Sequence, residues 1–266
     1  MKNIKGLFLG LVLALTLSLT ACFPFGNSGG GGSTRKPSST DAQVKAQINL
    51  GAALLMEGEN SRALQELQKA QEMDPKNADI ENFLGLAYYG MQEYDRAIAS
   101  YNRALELNPK RSDVHNNLGL VHLAQRNYEQ ALSEFNACLQ DLTYQKKQLP
   151  LSNIGLTYME MGEYDKALAA LTRATEVAPN YAKSYQLIGR IHQMQNNCRE
   201  AVDYFNNAAK LDPGDPDTFM SLGDCYAKLN RSEDAAQAYS QVGSLASGTP
   251  LALEAQKRAR KVMGFD

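Results

Sequence analysis

The chain has 266 residues, 27 of them basic and 29 acidic, for a formal net charge of −2. That balance argues against a nucleic-acid surface, which needs a clustered basic stripe. There is no tryptophan, and the single long apolar run lies at the N-terminus, so the remaining chain must build its core from periodic, amphipathic segments.

Lys2 and Lys5 open the sequence as a short positive region, and residues 6–21 follow without a charge. This is the layout of a secretory signal. A membrane-spanning helix needs roughly 20 apolar residues, so the run is marginal as a permanent span. Leu19-Thr20-Ala21-Cys22 resembles a bacterial lipobox. The resemblance implies that the Cys22 thiol receives diacylglycerol, that residues 1–21 are removed, and that the new N-terminus is acylated. Each buried acyl methylene would contribute about 0.8 kcal/mol, so more than one chain anchors stably. Phe23, rather than an aspartate, follows the cysteine. By similarity to enterobacterial sorting rules, this favours the outer membrane. Loss of Lys2 and Lys5 leaves 25 basic against 29 acidic residues, a formal charge of −4.

Residues 22–41 read as a tether, with GNSGGGGSTRKPSST at 26–40. Glycine and serine at this density cannot bury a core. The 18 residues from Phe23 to Thr40 would span about 21–25 Å as a flexible coil.

Beyond the tether the chain repeats itself. An apolar-Gly pair recurs at Gly51, Gly85, Gly119, Gly155, Gly189 and Gly223, with spacings of 34, 34, 36, 34 and 34. An alanine stands 12 residues after each glycine (Ala63, Ala97, Ala131, Ala167, Ala201, Ala235), and a bulky residue four further on (Leu67, Tyr101, Phe135, Leu171, Phe205, Tyr239). Pro75, Pro109, Pro179 and Pro213 close four copies. Each copy holds two segments of helical period, such as 78–91 and 94–107. The glycine and alanine places let the two helices approach, and the proline stops the second.

This pattern resembles the tetratricopeptide repeat (TPR). The resemblance implies an all-α fold: a right-handed superhelical solenoid of six helix-turn-helix repeats with a C-terminal capping helix. The expected repeats are 44–77, 78–111, 112–147, 148–181, 182–215 and 216–248, with the cap at 249–263, all within a domain of residues 42–266. The junction between the third and fourth repeats, DLTYQKKQLPLSNIGL (141–156), lacks the closing proline and is two residues longer than the others.

No catalytic arrangement emerges. His122 and His192 stand three residues after the repeat glycine, where other copies carry Tyr88, Tyr158 and Tyr226, so they read as helix-packing residues. His115 lacks a sequence-local set of metal ligands. The GGGG at 29–32 has no preceding strand and makes no phosphate loop. The expectation is a non-enzyme without cofactor or metal. Of the cysteines beyond Cys22, Cys138 sits at a small-residue packing position. By the geometry of TPR stacks, Cys198 at the start of one second helix lies near Cys225 on the following first helix. They are either a disulfide, which an oxidising periplasm permits, or two separate core thiols.

Register with the TPR family places the second, fifth, ninth and twelfth residues of each repeat on the groove. In the central repeats these include Asn82, Leu86, Tyr89, Asn116, Leu120, Leu123, Leu156 and Met159, an apolar line with asparagines beside it. Contiguous apolar surface of this kind suggests a site for an apolar helix or strand. The other reading is that the line packs on neighbouring helices.

The lipobox, the tether, six repeats, the D-x-x-Y and N-x-G-L elements of the junction and the tail TPLALEAQKRARKV (249–262) together resemble the pilotins of type IV pili. The resemblance implies an outer-membrane lipoprotein that binds a secretin subunit and helps secretins assemble or reach the membrane. The alternative is a general envelope scaffold, for example for cell-wall enzymes.

Overall fold

The computed structural model describes residues 39–265. The expected signal peptide, Cys22 and nearly all of the tether lie outside the described residues. Among these residues the chain forms thirteen α-helices and no strand. They fall into two units, one ending at Glu93 and one beginning at Tyr94.

The first unit holds α1 (Ser39–Met56), α2 (Asn60–Met73) and α3 (Ala78–Gly90). Helix α1 begins inside the stretch read as tether. The second unit holds α4 (Tyr94–Leu107), α5 (Ser112–Ala124), α6 (Tyr128–Gln140), α7 (Gln148–Glu160), α8 (Tyr164–Val177), α9 (Ala182–Met194), α10 (Cys198–Leu211), α11 (Pro216–Lys228), α12 (Ser232–Leu245) and α13 (Pro250–Val262). This is the expected all-α arrangement of packed helix pairs.

The two helices of a pair bury different amounts of themselves, and their sequences reflect this. Helix α8 buries a single stripe, Ala167, Ala170, Leu171 and Ala174, the i, i+3, i+4, i+7 pattern of a helix with one face on the core. Helix α7 buries Pro150, Leu151, Ser152, Ile154, Gly155, Thr157 and Met159. It needs burial on several sides because it packs on α8, on α6, and on the first helices α5 and α9 of its neighbours. In the second unit α5, α7, α9 and α11 touch in succession, so the first helices make a continuous wall.

Each first helix ends in the same turn. Glu59, Glu93, Asn127, Glu163, Asn197 and Arg231 donate their backbone N–H to Leu54, Tyr88, His122, Tyr158, His192 and Tyr226 carbonyls at 2.8–2.9 Å. This is the 6→1 bond of a Schellman cap, and the residue before each donor takes the left-handed conformation. Gly58 and Gly162 do so without a Cβ, whereas Gln92, Arg126, Asn196 and Asn230 carry side chains there. Two helix starts are written plainly in the sequence. Asp215 and Thr249 cap α11 and α13 with their side chains, and each is followed by proline in the first turn.

The repeat glycines mark where a second helix lies against a first. A Cβ on Gly119, Gly155, Gly189 or Gly223 would fall within 2.8 Å of the Phe135, Leu171, Phe205 or Tyr239 side chain, and one on Gly51 would meet Leu67. Those large residues are buried at the centre of each pair.

The irregular junction closes on itself through Asp141. Its carboxylate accepts from Ser112 Oγ at 2.6 Å, from Thr143 N at 2.8 Å and from Thr143 Oγ1 at 2.6 Å. Lys147 Nζ reaches the Leu142 carbonyl at 3.2 Å. These bonds hold the Asp141 carboxyl down to about 2, with the Ser112 hydroxyl the largest cause and Thr143 next. They lie at the end of α6, where four other copies place a proline.

Candidate functional site: the wall of first helices

The groove residues expected from the sequence divide between the two units. In the first, Asn82 is buried on α3, and Leu86 and Tyr89 are half-buried. In the second, Leu120, Leu123 and Leu156 are half-buried on α5 and α7. Leu120 and Leu123 rest against the core formed by Ala131, Phe135, Ile154 and Ala170, and Leu156 rests against the next core, around Leu171 and Ile188.

Met159 is a different case. At 3% exposure it belongs to the core itself, because its place on α7 faces α9 rather than solvent. It offers no contact area to a partner. Asn116 is buried too and accepts a hydrogen bond from Asn153 Nδ2 at 3.0 Å. The usable apolar surface on the second unit is therefore the half-exposed trio Leu120, Leu123 and Leu156.

Polar bonds run from repeat to repeat along the same wall; of their members, sequence reasoning singled out Asn116, as a groove residue rather than as half of a bond between repeats. Asn153 bonds Asn116, Ser152 Oγ meets Ser184 Oγ at 2.8 Å, and Gln186 Nε2 reaches Thr218 Oγ1 at 3.2 Å. Each pair joins adjacent first helices. The only signal was a small polar residue recurring near the repeat glycine, and such residues are common on helix surfaces. A buried polar group needs a partner, and here the neighbouring repeat supplies it.

Towards the C-terminus the wall becomes charged. Lys183 Nζ donates to Gln186 Oε1 at 2.6 Å. Burial lowers the Lys183 pKa, and Arg190 lowers it further. Asp217 shifts up, first by burial and then by its neighbour Asp215. Asp224 accepts both Arg258 Nη1 contacts, at 2.6 and 2.8 Å, and the Tyr239 hydroxyl at 2.7 Å. A cavity of about 500 Å³ opens beside this trio, lined also by Gln193, Met194 and Lys228. The apolar line thus gives way to polar chemistry at α9.

Cys138, Cys198 and Cys225 are free thiols and buried. Cys198 and Cys225 share one core with Phe205, Leu222 and Ala238. Burial raises the Cys225 pKa, and its hydrogen bond with Cys198 raises it further. Burial likewise pushes Cys138 up to about 12, so it is a poor nucleophile. His115 does find an acidic neighbour, Glu134, at 2.7 Å, contributed by the second helix of its own repeat. His192 stacks on Tyr204 with ring centroids 5.3 Å apart. Among the described residues no group of three His, Cys, Asp or Glu side chains could hold a metal ion. No described helix is long and apolar enough to cross a membrane.

Three family models match the chain: TPR repeat over residues 85–126, and tetratricopeptide repeat over 148–214 and over 187–247. Among curated proteins, the human Cell division cycle protein 16 homolog is 33% identical over 85 residues, covering 32% of this chain and 14% of that protein. The bovine BBSome complex member BBS4 is 25% identical over 207 residues, covering 77% of this chain and 39% of that protein. The chain thus spans well under half the length of these curated relatives. Among solved structures, Pseudomonas aeruginosa pilF superposes with a TM-score of 0.67 at 22% identity, covering 83% of this chain and 99% of that one. PilW, described as a widely conserved type IV pilus biogenesis factor, superposes with a TM-score of 0.69 at 18% identity, covering 79% and 97%. The repeat matches show that residues 85–126 and 148–247 carry tetratricopeptide repeats, and the superpositions show the same fold of stacked helix pairs.

Proposed function

We propose that the protein is a non-enzymatic outer-membrane lipoprotein whose wall of first helices binds a secretin subunit and promotes secretin assembly or localisation in type IV pilus biogenesis. One observation carries this reading. The chain spans 99% of the pilF structure and 97% of the PilW structure, whereas it spans a minor part of its curated relatives. An array of the same extent, behind a lipobox-like Cys22 and a tether, supports the same job. The mechanism is physical. Acyl chains hold the protein at the membrane, the helix wall holds the partner, and the tether raises the local concentration of one near the other. Leu120 and Leu156 supply the apolar contact, and the asparagine and serine bonds between repeats keep their spacing fixed.

Alanine is the appropriate probe, because both leucines also touch the core. Burying a leucine contributes roughly 1.5–3 kcal/mol, part of which the free protein already has. Leu120→Ala with Leu156→Ala is expected to weaken secretin pulldown by about tenfold or more and to reduce secretin multimers in cells, with helicity by circular dichroism unchanged. A folded double variant that supports multimers at the normal level would remove this wall as the contact.

A further inference from the structure

The last helix presents two faces of opposite character. Ala252 is buried, and buried Ala255 with partly buried Ala259 and Val262 packs with Met220, Tyr239 and Val242. On the opposite side Leu253, Lys257, Arg260 and Lys261 follow at i, i+4, i+7 and i+8, which places them on one stripe. All four are exposed, Leu253 at 67%. Among the described residues none of the three cations forms a hydrogen bond or ion pair. The nearest carboxylate on the helix, Glu254, is taken by Arg258 at 2.9 Å.

Exposed apolar residues follow past the end of the helix. Gly264 takes the left-handed conformation, and Phe265 N bonds the Arg260 carbonyl at 2.9 Å while Gly264 N bonds that of Lys261 at 3.2 Å. This Schellman cap fixes the backbone of Phe265, yet the residue is 63% exposed, and Met263 nearby is also exposed. Cations in a last helical turn favour the helix dipole, which accounts for Arg260 and Lys261. It accounts for neither Lys257 nor the exposed Leu253 and Phe265.

We infer that this outer stripe of α13 docks on an anionic phospholipid surface, with Lys257, Arg260 and Lys261 at the headgroups and Leu253 and Phe265 entering the interface. Unpaired cations interleaved with exposed leucine and phenylalanine are the chemistry by which a helix lies on such a surface. The charge complementarity is local: the whole chain is at −2, whereas KRARK at 257–261 places four cations in five residues. The inference is independent of acylation at Cys22 and of the partner bound by the helix wall.

The chain contains no tryptophan, so Phe265→Trp in the full chain gives an emission that reads only this end of α13, whatever the N-terminal residues do on a vesicle. The expected result is a blue shift on phosphatidylglycerol vesicles, none on phosphatidylcholine vesicles, and reversal in roughly 0.5 M salt, where the Debye length is only a few Å. In the same background, Lys257→Gln with Arg260→Gln and Lys261→Gln should lower partitioning on the anionic vesicles on the order of a hundredfold. Charge reversal at the three positions should lower it further, with the far-ultraviolet circular dichroism unchanged in both variants. No shift on anionic vesicles, an equal shift on both lipids, or a shift untouched by the glutamine variant would overturn the inference. So would a concentration-dependent shift without vesicles, which would mean that a second copy of the chain covers this face.

Discussion

At the residue scale, two backbone positions recur from repeat to repeat, the glycine at the helix contact and the left-handed turn residue, and a side chain is costly at each for a different reason. At Gly189 a Cβ would sit 2.8 Å from two ring carbons of Phe205, which is fully buried. Gly189→Ala is therefore expected to destabilise the fold by about 1–3 kcal/mol, the usual range for overpacking a filled core. Gly243, inside α12, has no heavy atom within 4 Å of such a Cβ. Gly243→Ala should stabilise by about 0.5–1 kcal/mol through helix propensity alone. Urea midpoints of the two variants test both signs together. The turn position behaves differently. Arg126 holds φ at 61°, and a side chain in the left-handed region costs roughly 1–2 kcal/mol. Gly58 and Gly162 occupy the same place in other copies without that strain. Arg126→Gly should raise the thermal midpoint, less the greater freedom that glycine gives the unfolded chain. Asn230→Gly should raise it less, since asparagine tolerates this region better than arginine. A lower midpoint for Arg126→Gly would show that the arginine side chain holds the turn.

At the element scale, the junction between α6 and α7 replaces a proline stop with a carboxylate. Asp141 is held at about 2 by hydrogen bonds from Ser112 and then Thr143. Because the folded value lies below the ordinary 3.8 of the unfolded chain, the stabilisation is present above pH 4 and is lost as pH falls through about 2. Asp141→Asn should lower the denaturant midpoint at neutral pH, and the gap to the wild type should close between pH 4 and pH 2. A gap that is constant across that window would show that the charge on Asp141 contributes nothing. The last element, α13, ends the stack by burying small residues against α12 and tying Arg258 to Asp224. That pairing leaves its outer face free for the membrane contact inferred above.

At the scale of the whole molecule, the proposed function assigns anchoring and partner binding to separate parts. On that proposal Cys22 and its tether would decide where the helix wall of the second unit can act. Cys22→Ser is expected to leave an unprocessed or soluble chain, read by intact-mass spectrometry of the membrane and soluble fractions. A lipid-free N-terminus at another residue in the wild type would end the lipoprotein reading without touching the proposal for the helix wall. Conversely, a Leu120→Ala, Leu156→Ala variant that is lipidated and folded but fails to support secretin multimers would separate binding from anchoring.

The sequence by itself determined the helix pairs and their stacking. Gly, Ala and the bulky residue recur at fixed offsets, because each repeat must solve the same local packing problem with the same few side chains. Positions 94–107 were legible as a helix to the residue, and 78–91 to within one residue at its end. The tertiary structure alone decided which groove positions stay accessible. Leu156 and Met159 share a helix and a family register, yet the first is half-exposed and the second is core. Met159 is enclosed in the core with Leu187, Ile188 and Ile191 of α9, side chains about a full repeat away, whereas Leu156 only rests against that core. The bonds Asn116–Asn153, Ser152–Ser184 and Gln186–Thr218 were hidden for the same reason. Each partner is ordinary in its own helix, and only the stacking of two repeats excludes water and makes one the obligatory mate of the other.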